Sequence, residues 1–131
     1  MHTYTVAFRA AGERLNIKQV SELLGLTPTH IINVGDAQSR GPSAKAVWSF
    51  EVFSRSGGEW HILEDALVEL LSIFEPRVNS VRQLQDECEV FLWCGYFTSS
   101  VGGGPQFSPA LLRRVADFGV ELFLDTYCSQ D

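Results

Sequence analysis

A chain of 131 residues holds one domain with a real core and is too short for two of ordinary size. At 45 % hydrophobic and 20 % charged, it is not a disordered chain, a collagen-like repeat or a coiled coil. Ten Lys and Arg against sixteen Asp and Glu leave a net charge of −6. That charge gives no general attraction to phosphate backbones or anionic lipid, so neither nucleic acid nor membrane is expected as a partner.

No apolar run approaches the ~18–20 residues that span a bilayer. Met1-His2-Thr3-Tyr4-Thr5 lacks the charged and apolar regions of a signal peptide. A cytoplasmic location is therefore expected. The three cysteines, Cys88, Cys94 and Cys128, are an odd number without a CxxC. They read as small apolar residues in a reducing compartment.

Tyr4, Val6 and Phe8 alternate with Thr3, Thr5, Ala7 and Arg9, the period of a half-buried strand that Gly12 ends. Asn16 caps a helix whose stripe is Ile17, Val20, Leu23 and Leu24, with Gln19 in the capping-box position and Gly25 as the stop. Thr27-Pro28-Thr29 is a turn, and His30 to Val34 a short extended piece. Residues 35–45 read as a polar surface loop. In the strand Ala46 to Ser54, Trp48, Phe50 and Val52 share one face, and Val47, Ser49, Glu51 and Phe53 the other.

Trp60, Leu63, Leu67, Leu70, Leu71 and Phe74 form the stripe of the longest helix, which Pro76 breaks; Val78, Val81 and Leu84 continue it at an angle. Val90 to Phe97 is apolar on both faces, as in a central strand. A Gly-rich loop over residues 101–108 follows. Ser108 and Pro109 open a helix that Gly119 closes, and Val120, Leu122 and Leu124 alternate in a last strand running to Tyr127. The order β-α-(β)-β-α-α-β-α-β predicts a single α+β domain over residues 1–131. Its architecture is a two-layer sandwich, with a mainly antiparallel sheet of four or five strands and helices packed on one face. Strand, capped helix and extended residues recur at the two ends of the chain, a weak internal echo.

These residues also carry a resemblance. Leu23-Leu24-Gly25-Leu26-Thr27-Pro28, Gly35-Asp36, Trp48-Ser49, Phe74-Glu75-Pro76 and Gly102-Gly103-Gly104 stand in order along the chain. Phe107-Ser108-Pro109-Ala110-Leu111-Leu112 and Gly119-Val120-Glu121-Leu122, leading to Asp125 and Tyr127, complete the set. Together they resemble a bacterial family known as domain of unknown function 4279. The resemblance implies a stand-alone bacterial domain and supplies no catalytic residues.

His2, His30 and His61 are far apart and form no HxH or HExxH, so no metal site is expected. No cofactor loop is present: Gly102, Gly103, Gly104 and Ser108 lack the Lys-Ser/Thr of a P-loop and offer at most a weak anion site, near Arg113 and Arg114. A thiol at Cys94, between Trp93 and Gly95 on an apolar strand, reads as core rather than nucleophile. No catalytic residues are assigned. Asp36, Lys45, Trp48 and Ser49 flank one loop and form a candidate polar recognition site.

The strongest signal is distributed. If the apolar alternation faces the helices, the other sheet face carries Val47, Phe53, Phe91 or Tyr96, Trp93 or Cys94, Phe123 and Tyr127, with Asp125 among its polar residues. A face so aromatic marks an interface. A non-catalytic protein-binding module is expected, meeting a protein partner or self-associating as a homodimer. One form is an immunity-type protein steered by its negative charge to a basic enzyme. The competing expectation is a small-molecule or anion-binding domain, or a small enzyme, using residues 35–49 or 101–108.

Overall fold

Tyr4, Val6, Phe8 and Ala10 are buried along strand β1 (His2–Gly12) of a computed structural model that describes residues 2–99 and 102–129. Asn16 caps α1 (Ile17–Leu24), its side-chain oxygen accepting the Gln19 amide at 3.1 Å. Gly25 ends the helix at φ 68°, a left-handed conformation that favours glycine. After β2 (His30–Ile32), the polar segment forms a small ribbon, β3 (Ala37–Gln38) against β4 (Gly41–Pro42), where a plain loop was expected. β5 (Ala46–Val52), α2 (Leu63–Phe74) and α3 (Val78–Gln85) follow, with a 3-10 turn at Glu75–Arg77 where Pro76 interrupts the helical ladder. β6 (Glu89–Thr98), α4 (Pro109–Phe118) and β7 (Glu121–Cys128) complete the chain.

The five-stranded sheet runs β2-β5-β1-β6-β7. β1 is antiparallel to β5 and β6, β2 is antiparallel to β5, and β7 is parallel to β6. The fold is therefore α+β, as the sequence predicts. Strand 90–97 is flanked on each side, by β1 and β7, as expected of a central strand. Its apolarity on both faces arises from the aromatic residues it presents away from the helices. The internal echo has a counterpart: both chain ends form a strand–helix–parallel strand unit, split in the first case by β5 and undivided in the second.

Helices cover one face. From β1 the core takes Tyr4, Val6, Phe8 and Ala10; from β5, Trp48 and Val52; from β6, Val90, Leu92 and Cys94. Leu63, Leu67, Leu70, Leu71 and Phe74 of α2 pack against them. Phe8 stacks on Phe74 at 4.1 Å and meets Trp48 edge-on at 6.2 Å. Each fully buried Leu or Phe contributes about 1.5–3 kcal/mol. Arg77 joins the layer, its Nε donating to the Leu24 carbonyl at 2.8 Å and its Nη1 to the Ile73 carbonyl at 2.6 Å. One guanidinium thus serves carbonyls that the last turns of α1 and α2 leave unpaired.

Candidate functional site

The face away from the helices is built on a floor of small residues. β1 contributes Thr3, Thr5, Ala7 and Arg9 there; β6 places Phe91, Trp93, Gly95 and Phe97 beside them. β7 continues the rows with Glu121, Phe123, Asp125 and Tyr127, and β5 supplies Ser49 and Glu51 on the far side. The alternation thus assigns Trp93 and Phe91 to this open face, and Cys94 and Tyr96 to the helix side.

Small residues let the large ones lie flat. A Cβ at Gly95 would stand 2.6 Å from Cη2 of Trp93, 2.7 Å from Oγ1 of Thr5 and 3.1 Å from Cε2 of Phe97. The indole therefore spreads over the glycine. The Arg9 guanidinium stacks on its ring, 4.1 Å from the centroid, a cation–π contact. Arg9 Nε also points at Ser49 Oγ, at 3.4 Å. Burial pulls Arg9 below the usual guanidinium range, opposed by Tyr127, Glu51 and Asp125. Burial raises Glu51 as well, while Arg9 pulls it down.

On β7 the Tyr127 hydroxyl donates to Asp125 Oδ2 at 2.7 Å, and Trp93 Nε1 approaches the same oxygen at 3.4 Å. Donating that bond holds the Tyr127 phenol above its ordinary pKa. Phe97 and Tyr127 stack at 4.9 Å, 11° from parallel. Asp125 stands beside Gly95 in the register, between the Trp93–Phe123 and Phe97–Tyr127 rows. The result is an aromatic surface with an oriented carboxylate.

Phe53 does not belong to this surface. β5 ends at Val52, and the Ser54–Gly58 turn, closed by Ser54 N–H to the Gly58 carbonyl at 3.1 Å, breaks the alternation. Phe53 instead lines a cleft on the helix side with Trp60, Asp65, Val68 and Glu69.

The 35–49 residues are not brought together. Asp36 accepts the Asn33 amide at 2.7 Å, a local turn contact, and Lys45 pairs with Glu89 at 3.0 Å. Trp48 is wholly buried, its indole N–H donating to Ser21 Oγ at 2.9 Å, because its alternation points it into the helix layer. Ser49 lies on the opposite sheet face. Trp48 therefore cannot touch a ligand held by the loop.

In the Gly-rich segment, Val101 lies outside the described residues. Gly102, Gly103 and Gly104 take φ of 84°, 79° and 143°. His2 ties the loop down: its Nε2–H donates to the Gly102 carbonyl at 3.1 Å while Nδ1 accepts from the Tyr96 hydroxyl at 2.8 Å. Ser108 caps α4 by accepting the Leu111 amide, and its own N–H goes to Glu64 Oε1 at 2.6 Å. The start of α4 is thus served by groups of the protein itself. A cleft of about 560 Å³ opens there among Tyr4, His61, Leu63, Glu64, Gly104 and Phe107. Sequence reasoning missed this cleft, since residues a hundred positions apart meet at it.

Among the described residues, no three His, Cys, Asp or Glu side chains gather as a metal-ligand set, and no helix is long and apolar enough to cross a membrane. Residues 2–129 match the family model described as Domain of unknown function (DUF4279). The chain belongs to that family. No curated protein and no solved structure matches it. Membership in the family assigns no activity, so the open face has to be read from its own chemistry.

Proposed function

We propose that this domain is a non-catalytic protein-binding module whose docking surface is the open face of the sheet, in the cytoplasm of a bacterial cell. One observation carries the reading. Phe91, Trp93, Phe97, Phe123 and Tyr127 lie together on a sheet face without a helix over it, and aromatic residues are enriched where proteins meet. Among the described residues, the carboxylates Glu51, Glu89, Glu121 and Asp125 stand on the same face, where Arg9 lies on Trp93 and Lys45 pairs with Glu89, so the surface suits a basic partner. An immunity-type role against a basic enzyme is one form of this reading.

The test is affinity capture from a lysate of the source cell with wild type, Trp93→Ser and Phe123→Ser, all shown to be folded. A stoichiometric protein retained by wild type and lost from both variants supports the module. If a metabolite co-purifies instead, and Asp36→Ala abolishes its binding, the small-molecule reading replaces it.

A further inference from the structure

β7 is the outermost strand on its side of the sheet. Ser129 N–H donates to the Thr98 carbonyl at 2.9 Å. By the alternation of a strand, Tyr127, Asp125, Phe123 and Glu121 then turn their backbone groups toward β6, while Leu122, Leu124 and Thr126 turn theirs outward. Such an edge templates another strand, and proteins usually blunt it with lysine, proline or a bulge. Glu121–Cys128 contains no lysine or proline and pairs with β6 without a break from Phe91 to Thr98.

The side chains on this edge are as open as its backbone. Leu122 and Leu124, on the helix side, are 37 % and 45 % exposed; Phe123 and Tyr127, on the open side, are 53 % and 45 % exposed. One strand of eight residues thus holds four of the ten exposed large hydrophobics among the described residues. Its charges are Glu121 and Asp125 alone, both on the open side. Neither takes part in the ion pairs formed among the described residues, Lys45–Glu89 and Arg114–Glu75. Tyr127 fixes the Asp125 carboxylate beside the aromatic rings, and Arg9 on Trp93 shows that this surface accepts a guanidinium.

The geometry points to β7 as the edge on which an extended basic segment of another protein adds as a sixth strand. Its Lys or Arg side chains lie over Glu121 and Asp125 on the open face, and its alternate apolar side chains lie on Leu122 and Leu124. This inference rests on the protein-binding reading and names the occupant. A second copy suits the edge less well. Two β7 strands paired about a two-fold axis bring their carboxylates together without any cation on either strand, and each chain already carries −6.

The test uses a blocked octapeptide of alternating Arg and Val, and the same peptide with neutral citrulline for Arg. With the Arg peptide, amide exchange at Leu122, Leu124 and Thr126 slows, and binding weakens as salt is raised. Citrulline for Arg, or Asp125→Asn in the protein, weakens binding by about tenfold, the scale of one charge-assisted hydrogen bond. Leu124→Lys puts a cation on an exposed edge position, so it leaves the fold intact and abolishes binding. Absence of protection at β7 with millimolar peptide, or equal binding of the two peptides, overturns the inference. So does protection of β7 without peptide in a chain that scatters light as a dimer, which makes a second copy the occupant. In the capture experiment, a partner lost from Trp93→Ser and kept by Leu124→Lys leaves the docking face standing and removes the edge.

Discussion

The indole of Trp93 lies where a side chain on Gly95 would have to go, with Cη2 2.6 Å from the position of a Cβ there. The position is confined below as well, by Thr5 Oγ1 at 2.7 Å. Gly95→Ala therefore has to lift the indole off the sheet and shift β1. It is expected to cost about 1–3 kcal/mol, as overpacking does. Urea unfolding measures the loss. Lifting the indole also separates it from Arg9, so tryptophan emission in the folded variant should move. An unchanged urea midpoint would show that the Trp93 ring does not rest on Gly95.

Thr5 makes the converse case. Its Oγ1 is buried under that ring and has no hydrogen-bond partner. A buried hydroxyl without a partner costs free energy that a methyl group of the same shape does not. Thr5→Val is expected to be neutral or to raise stability by up to about 1 kcal/mol. A fall of 1 kcal/mol or more on urea unfolding would mean that the hydroxyl has a partner in solution.

What the sequence made legible follows from locality. Asn16 with Gly25, and Ser108 with Gly119, mark α1 and α4 because a cap is a contact across three or four residues. The buried alternation of Tyr4, Val6 and Phe8 is equally local. Which strand neighbours which is a long-range property, so the apolarity of β6 marked it as flanked on both sides but did not name β1 and β7 as its neighbours. Alternation also fails where a strand stops. Phe53 shares the parity of Ser49 and Glu51 yet turns to the helix side, because β5 ends one residue earlier. At the candidate face, Phe123, Asp125 and Tyr127 were legible from parity and composition, whereas β6 is apolar on both sides and left Trp93 or Cys94 open until its register on β1 was seen. The stacking of Arg9 on Trp93 was not legible either, since it depends on β1 pairing with β6 in one register.

Trp48 separates the core from the loop beside it. Its ring packs edge-on to Phe8 and its N–H is held by Ser21. Trp48→Phe leaves a cavity and an unpartnered hydroxyl on α1, and is expected to cost about 2–4 kcal/mol. Asp36→Ala removes one turn contact on an exposed ribbon and should cost no more than about 1 kcal/mol. Thermal unfolding of the two variants gives the comparison. Similar losses for both would contradict the placement of Trp48 in the helix layer.

Cys94 sets a pH dependence whose sign can be worked out. Burial among apolar side chains raises its thiol from 9.0 to about 12 in the folded state. In the unfolded chain the thiol ionises near its ordinary value. Below pH 9 both states hold the proton, and the group has no effect on the pH slope. Between about 9 and 12 the unfolded state loses the proton and the folded state keeps it. Stability then falls as pH rises, by up to about 1.4 kcal/mol per pH unit from this group, and the fall levels off above 12. Cys94→Ala should flatten that part of the profile while lowering stability at neutral pH, since it empties a fully buried position. Thiol labelling at pH 8 gives an independent reading. Cys128 is exposed at the end of β7 and should react within the native state, whereas Cys94 should react only as fast as the chain unfolds. Labelling of Cys94 at a rate that does not change with added urea would place the thiol outside the core and remove the basis for the alkaline slope.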